Sequence, residues 1–253
     1  MGLDWAYEAI DVAPDALDEF MGSLDASWRG LSVTMPHKEA MLRFGRPDEV
    51  VQLTGVANTF IREPGGQHHV HNTDVQGFVT ACRDHGTQRI ERATIIGNGA
   101  TARSALVAAA LLGATRVTVV ARAPERAQPL LGIAENIRVD ADVVSLGEEP
   151  EHSDLLISTI PSAGVEPHAD QLVDTTWLAF DAIYHPWPTP IGAAAARIGA
   201  PVLSGLHLLA GQAVDQVRLM TGHEVGFADL YDAGLQEMAR RDLAQQAASI
   251  IEG

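Results

Sequence analysis

A short apolar run, a glycine turn and an alanine-rich stretch follow one another between residues 93 and 113. Residues 94–96 have the composition of a buried strand, and apolar residues then recur at helical spacing from residue 100. A strand, a glycine turn and a helix in this order form a cradle in which the free N–H groups of a helix N-terminus meet a dinucleotide pyrophosphate. The alternative is an ordinary strand-to-helix turn. The predicted cofactor residues are Gly97, Asn98, Gly99, Ala100 and Thr101.

The chain around this turn alternates between strand and helix patterns. The predicted strands are 93–97, 116–121, 137–144, 154–159, 177–183 and 201–203, and the predicted helices are 100–112, 124–135 and 189–199. This alternation is typical of a doubly wound parallel sheet of the Rossmann type. Thr159, at the end of the fourth predicted strand, is counted with the cofactor residues.

The regions before and after this sheet have other patterns. The earlier region predicts strands at 7–12, 29–35, 55–62 and 68–71 and helices at 14–24, 37–44 and 74–85. Everything after Gly205 is helical. We therefore expect an α/β protein with a mixed α/β substrate-binding domain at 1–74 and a nucleotide-binding Rossmann domain at 75–204. Helices at 205–253 return to the substrate domain, and a ligand cleft lies between the two domains.

Composition and charge exclude several classes of function. A formal net charge of −16 argues against a nucleic-acid partner. No apolar run approaches the roughly 20 residues of a membrane span, and no secretion leader is recognisable. Cys82 is the only cysteine, which fits a reducing cytoplasm. We expect a cytoplasmic protein with a small-molecule substrate and no membrane partner.

The residues after the second predicted strand bear on the choice of dinucleotide. An acidic residue there binds the ribose hydroxyl of NAD, whereas an arginine accommodates the 2′-phosphate of NADP. The strand at 116–121 is followed by Arg122, and Arg126 lies one turn further on, with Glu125 between them. This pattern favours NADP over NAD. The alternative is that both arginines are solvated surface residues.

Polar side chains with potential for chemistry stand at predicted strand ends in the first region. Ser32, Thr34 and Lys38 surround a strand end, Asn58 interrupts an apolar strand, and Asp74 begins a helix. Asparagine and threonine bind hydroxyl groups, while a lysine and an aspartate can share a proton that moves during hydride transfer. Together they suit a small polyhydroxylated carbon acid. The alternatives are a helix cap for Asp74 and a surface position for Lys38.

Three neighbouring histidines invite a metal interpretation. His68, His69 and His71 lie on one predicted strand, so they do not all point to the same face. No fourth ligand is evident. We therefore predict no metal site.

Six motifs, in order, resemble those of the shikimate dehydrogenase family and extend through nearly the whole chain. They are SVTMPHK at 32–38, GVANT at 55–59, NTDVQGF at 72–78, GNGATAR at 97–103, DAIYHPWPTP at 181–190 and GLHLLAGQA at 205–213. The resemblance implies NADPH-dependent, reversible reduction of 3-dehydroshikimate to shikimate in chorismate and aromatic amino acid biosynthesis. It implies a monomer or a homodimer.

The resemblance also implies roles for individual residues. Lys38 and Asp74 would be the catalytic pair, with Lys38 relaying a proton to the developing alkoxide and Asp74 orienting it. Gly205 would lie near the nicotinamide. The implied substrate-binding residues are Ser32, Thr34, Asn58, Tyr184 and Gln212.

The sequence departs from the family pattern in places that leave alternatives open. Ser32 replaces the usual asparagine, and of the common N-R-T after the second strand only Arg122 is kept. The first strand of the family, with a Ser-x-Ser pair that binds the substrate carboxylate, is not recognisable, so either the start is truncated or misassigned or the protein lacks part of its carboxylate site. The alternatives are a paralogue acting on quinate or aminoshikimate, and a non-catalytic NADP-binding remnant.

Overall fold

The first of two β-sheets lies early in the chain and has four strands. The structure, a computed structural model, describes residues 2–63 and 65–251, with side chains described up to residue 241. The strands are β1 (Gly30–Ser32), β2 (Arg46–Pro47), β3 (Thr59–Arg62) and β4 (His68–His71), in the spatial order β1-β3-β4-β2. β3 is antiparallel to both β1 and β4, and β2 runs parallel to β4.

Helical turns cover this sheet and complete its core. They are a 3₁₀ turn at Pro14–Ala16, α1 (Leu17–Ser23), a 3₁₀ helix at Ala40–Phe44 and α2 (Glu49–Thr54). Their apolar faces bury Leu17, Met41 and Val51 against Phe60 and Val70 of the sheet. The predicted helix at 14–24 and the predicted hairpin of β3 with β4 are thereby confirmed.

The strand predicted at 7–12 is wrong. Residues 2–13 have neither helix nor strand, and their side chains are almost all exposed, with Tyr7 at 79%. Alternation of apolar and polar residues becomes a strand only where a neighbouring strand bonds its backbone and a second layer buries its apolar face. Neither condition holds here in the described part of the chain.

The helix α2 was not predicted, although the sequence contains both of its end signals. The Asp48 carboxylate accepts a hydrogen bond from Val51 N at 2.7 Å, as an N-cap does. Gly55 ends the helix in the left-handed region with φ of 68°. An aspartate followed seven residues later by a glycine is the sequence signal that indicates this helix.

The second sheet has six parallel strands, as the strand–helix alternation predicts. They are β5 (Arg92–Ile96), β6 (Arg116–Ala121), β7 (Asp140–Ser145), β8 (Ser153–Ser158), β9 (Thr176–Asp181) and β10 (Val202–Leu203). The spatial order β10-β9-β8-β5-β6-β7 reverses direction between β5 and β8. In doubly wound sheets a ligand crevice opens at such a reversal, beyond the carboxyl ends of the strands.

Helices cover both faces of the second sheet. They are α3 (Asp74–Asp84), α4 (Ala100–Leu111), α5 (Gln128–Asn136), α6 (Ser162–Val165), α7 (Ala169–Val173) and α8 (Pro190–Ile198). Alternate residues of each strand enter opposite cores, so Ile95 faces one helical layer and Ile96 the other. The buried faces on both sides explain why the central strands are continuously apolar.

Two helices complete the described chain, α9 (Gly205–Thr221) and α10 (Phe227–Ile251). α9 crosses α3 where Gly77 and Gly211 meet, and Arg29 Nε beside the first sheet donates to Met220 O of α9 at 2.9 Å. α9 therefore contacts elements of both regions, while the boundaries at 74 and 204 stay predictions. Among the helices described, none combines the length and the apolar character that crossing a bilayer demands.

Candidate active site

Lys38 and Asp74 form a close ion pair between the first sheet and α3. Lys38 lies in the turn that follows β1, and Asp74 is the first residue of α3. Lys38 Nζ donates to Asp74 Oδ2 at 2.6 Å, and the two side chains are only 12% and 2% exposed. A buried carboxylate needs such a partner, because an unpaired charge in the interior is costly.

The alternative roles suggested for these two residues are wrong. Lys38 is not a surface lysine, because its side chain is largely buried against Asp74. Asp74 does not cap α3 with its side chain, because both carboxylate oxygens bond other side chains. Asn72 Oδ1 instead accepts from Asp74 N at 3.1 Å.

Asn58 connects this pair to α9. Its Oδ1 accepts from Thr73 N at 2.8 Å, which fixes the orientation of the amide. Its Nδ2 donates to Asp74 Oδ1 at 2.8 Å and to Gln212 Oε1 at 2.7 Å. Asn58 is 1% exposed, so in this structure it positions Asp74 and Gln212. Nε2 of Gln212 has no acceptor among the described side chains and is available to a ligand.

The glycine turn after β5 has the shape of a dinucleotide cradle. Gly97 has φ of 114°, and a Cβ there would lie 2.8 Å from Ile160 Cγ2. A Cβ on Gly99 would meet nothing within 4 Å, and no side chain caps the N-terminus of α4. Open N–H groups at the positive end of a helix of this length fit a pyrophosphate.

The other predicted cofactor residues lie around the same crevice or close beneath it. Thr159 donates its hydroxyl to Ile96 O at 2.8 Å, so it supports the turn. Arg122 follows β6 and is exposed, as is Arg126, and both fit a phosphate group. Gly205 is buried at the start of α9, where a Cβ would lie 2.8 Å from the carbonyl carbon of Ile183. The backbone therefore excludes any larger residue at position 205.

Three of the predicted substrate residues are exposed. Ser32 and Thr34 line a cavity of about 1010 Å³ between the segment at 4–12 and the end of β1. Tyr184, in the loop after β9, is 41% exposed and makes no hydrogen bond to the other site residues described here. The structure thus joins Lys38, Asp74, Asn58 and Gln212 by direct bonds and leaves Tyr184 apart.

Sequence reasoning missed two features of the site. Gln216 lies one helical turn after Gln212, and this spacing predicts that both residues share a face of α9. Lys38 is also the only lysine in the chain, beside sixteen arginines. A single lysine in so long a chain was a signal that its amine has a particular use.

The three histidines are accounted for within the first sheet. His71 Nδ1 lies 2.9 Å from Asp48 Oδ2, and the rings of His69 and His71 stack. His68 packs edge-on against Phe60. In the described part of the chain no three His, Cys, Asp or Glu side chains are arranged to hold a metal ion.

Asp181 is a second buried carboxylate, at the end of β9. Its Oδ1 accepts from Ile183 N at 3.1 Å, while Oδ2 has no partner among the described residues. Burial raises the pKa of Asp181 above its ordinary value. The folded state therefore holds this proton to a higher pH than the unfolded chain does, and the free energy of unfolding falls as the pH rises through that interval.

We expect Asp181→Asn to stabilise the chain at neutral pH by about 1 kcal/mol, because the amide keeps one acceptor, carries no buried charge and can donate to the neighbouring Ser158 and Thr189 hydroxyls. At pH 4 the gain should be smaller, because a larger fraction of the wild-type carboxyl is protonated there than at neutral pH. Denaturant unfolding at both pH values measures the difference. The exposed Glu135→Gln provides the matched acid-to-amide control. A gain that is the same at both pH values would contradict the expectation.

A Rossmann-type sheet with an open glycine turn, together with a buried lysine–carboxylate pair, defines a dinucleotide-dependent oxidoreductase. The family model of the shikimate dehydrogenase substrate binding domain matches residues 1–60. The shikimate dehydrogenase (NADP(+)) of Moorella thermoacetica is 33% identical over 242 residues, covering 90% of this chain and 81% of that protein. The chain belongs to the shikimate dehydrogenase family.

Solved structures of the family have the same fold. Shikimate dehydrogenase of Mycobacterium tuberculosis has a TM-score of 0.82 at 34% identity, covering 92% of this chain and 88% of that chain. The shikimate 5-dehydrogenase of Thermus thermophilus, solved in complex with NADP(H) and shikimate, has a TM-score of 0.79 at 28% identity, covering 93% and 89%. The fold predicted from the sequence is confirmed by these similarities.

Proposed function

We propose that the chain is an NADP-dependent shikimate dehydrogenase that reduces 3-dehydroshikimate to shikimate reversibly. The observation that carries this proposal is the bond of 2.6 Å between Lys38 Nζ and the buried Asp74 carboxylate, with Gln212 held beside it. Relatives that are named shikimate dehydrogenase (NADP(+)) support the choice of substrate and cofactor.

The lysine and the aspartate supply the proton chemistry of a carbonyl reduction. When bound, NADPH supplies the hydride. The carbonyl oxygen of the substrate then becomes an alkoxide, and Lys38 gives it a proton. One N–H of Lys38 already points at Asp74, which leaves other ammonium protons for the substrate oxygen. Asp74 holds the amine in place, and Asn58 holds Asp74.

We propose that the substrate lies against residues 1–74 and the helices at 205–253, and the dinucleotide against residues 75–204. The open N-terminus of α4, at Gly99 to Thr101, would hold the pyrophosphate. Arg122 and Arg126 would hold the 2′-phosphate of NADP in a chain whose net charge is −16. Ser32, Thr34 and Gln212 would bind the substrate, with Tyr184 beside the cleft.

Shikimate-dependent reduction of NADP⁺, followed by the absorbance of NADPH, tests the proposed function. Quinate assayed in parallel distinguishes the paralogue alternative. Turnover of shikimate well above that of quinate supports the proposal. Binding of NADP⁺ without turnover of either compound would favour the non-catalytic alternative.

Replacing Arg122 with glutamine should raise the KM for NADP⁺ roughly tenfold and leave the KM for NAD⁺ nearly unchanged, because only NADP⁺ carries the 2′-phosphate. Steady-state kinetics with both dinucleotides measures the effect. Arg83→Gln, which replaces an exposed arginine outside the proposed phosphate site, is the matched control and should leave both KM values unchanged. Equal efficiency of the wild-type chain with both dinucleotides would contradict the role of Arg122.

A further inference from the structure

Gln216 joins the C-terminal helix α9 to two strands of the first sheet. Its Oε1 lies 3.0 Å from Ser32 Oγ of β1, and its Nε2 lies 3.0 Å from Thr59 Oγ1 of β3. Nε2 also approaches the backbone oxygen of Asn58 at 3.4 Å. The side chain is 8% exposed, so water satisfies little of its bonding capacity. A buried amide with both ends bonded holds its partners in fixed orientations.

The direction of these bonds follows from one backbone amide. Thr73 N can only donate, so Asn58 Oδ1 is the acceptor. Thr59 Oγ1 donates its proton to Asn58 Oδ1 at 3.0 Å, so its oxygen accepts from Gln216 Nε2. Gln216 Oε1 therefore faces Ser32, and the Ser32 hydroxyl must donate to it.

We propose that Gln216 is a positioning residue that makes Ser32 a hydrogen-bond acceptor only, so that the substrate group that meets Ser32 has to be a donor. The hydroxyl of Ser32 has one proton, and Gln216 Oε1 takes it. Ser32 lines the cavity, so the remaining lone pairs of its Oγ are open to a ligand that enters there. A free serine hydroxyl rotates and either donates or accepts, whereas this one accepts alone.

The consequence is a rule for substrate selection that depends on the proposed function. A ring hydroxyl of shikimate that donates to Ser32 is accepted, and a group of similar size that cannot donate is rejected. Fluorine is such a group. Ser32 is exposed in the free protein, and a substrate that covers it without donating leaves its Oγ unmet, which weakens binding by roughly tenfold.

Shikimate analogues in which a ring hydroxyl other than the one that is oxidised is replaced by fluorine test this rule. In the wild-type chain, the analogue without the hydroxyl that meets Ser32 should have a KM roughly tenfold above that of shikimate. The increase in KM should be smaller for an analogue that keeps this hydroxyl. Ser32→Ala should remove that excess. Gln216→Leu should reduce it as well, because the Ser32 hydroxyl is then free to turn its proton towards fluorine, which relieves the repulsion between the Oγ lone pairs and the fluorine atom. An excess of equal size in the wild-type and Gln216→Leu chains would overturn the proposal.

Gln216→Glu separates positioning from simple packing. The carboxyl group still offers an oxygen to the Ser32 hydroxyl, so the excess KM of that analogue should be retained although the fold is perturbed. If Gln216 only supports the fold, Gln216→Leu and Gln216→Glu should change stability and leave the pattern among the analogues unaltered. A difference between the two variants in the excess KM of that analogue therefore reports the direction of the bond between Ser32 and Gln216.

A measurement without any ligand keeps the proposal separate from the proposed function. In NMR spectra of the free protein, Thr59→Val should strongly shift one side-chain amide proton of Gln216, because that proton loses its acceptor, whereas Ser32→Ala should cause a smaller shift through the carbonyl group. A larger shift in Ser32→Ala than in Thr59→Val would show that Gln216 donates to Ser32, which overturns the proposal. Absence of shikimate turnover with the expected NMR result would overturn the function and leave the bond direction supported.

Discussion

Replacing Lys38 with alanine should lower kcat for shikimate oxidation by about 100- to 10,000-fold, the usual range for loss of a positioned proton donor or acceptor. The reason is geometric: Lys38 Nζ lies 2.6 Å from Asp74, and no other described cation bonds that carboxylate. Affinity for NADP⁺ should change little, because the glycine turn and Arg122 belong to the other sheet. Stopped-flow and steady-state assays measure kcat, and fluorescence titration measures dinucleotide binding.

Lys38→Arg is the matched control for loss of the ion pair. Arginine keeps a positive charge for Asp74 and so preserves the fold, but its guanidinium remains protonated at all working pH values. We therefore expect Lys38→Arg to have normal thermal stability and low turnover. Lys38→Ala should have both a lower thermal stability and a low turnover. Near-normal turnover of either variant would contradict the role of Lys38 in proton transfer.

The second large effect is expected where α3 and α9 cross. A Cβ on Gly211 would lie 2.9 Å from Gly77 Cα and 3.0 Å from Gly77 C, and neither backbone atom has room to move alone. Gly211→Ala should therefore push the helices apart and lower the free energy of unfolding by about 1–3 kcal/mol. Because Gln212 is the next residue and Asp74 begins α3, the KM for shikimate should also rise.

The control for Gly211→Ala is another glycine-to-alanine change inside a helix. A Cβ on Gly132 of α5 would meet nothing within 4 Å, so Gly132→Ala should stabilise the chain by about 0.5–1 kcal/mol through helix propensity. Denaturant unfolding of the two variants compares close packing with propensity. Equal stabilities would show that the crossing relaxes without cost.

The sequence predicted the second sheet well and the first sheet poorly. The central strands β5, β8 and β9 of the second sheet are buried on both faces, so their apolar runs give their positions to within a few residues. The strands of the first sheet are short, and the alternation at 7–12 has no counterpart in the fold. Short, half-exposed segments depend on neighbours that are distant in sequence, and no local pattern contains that information.

In the candidate site, too, local features could be predicted from the sequence and contacts between distant residues could not. The motifs around Lys38 and Asp74 indicated the pair, because a lysine after a strand end and an aspartate at a helix start are local features. The bond between Ser32 and Gln216 joins residues 184 positions apart, and the orientation of Asn58 depends on a backbone amide 15 positions away. Such directions become visible only when the folded chain brings donors and acceptors together.

Because the chain has a single lysine, its amine can be labelled and observed without signals from other lysine side chains. Reductive methylation with isotope-labelled formaldehyde modifies only lysine amines and the amino terminus, so the side-chain signal in an NMR spectrum comes from Lys38 alone. Dimethylation preserves the positive charge while adding bulk beside Asp74. The titration of this one signal, with and without shikimate, therefore reads the protonation of the amine directly, without a background from other lysines to subtract.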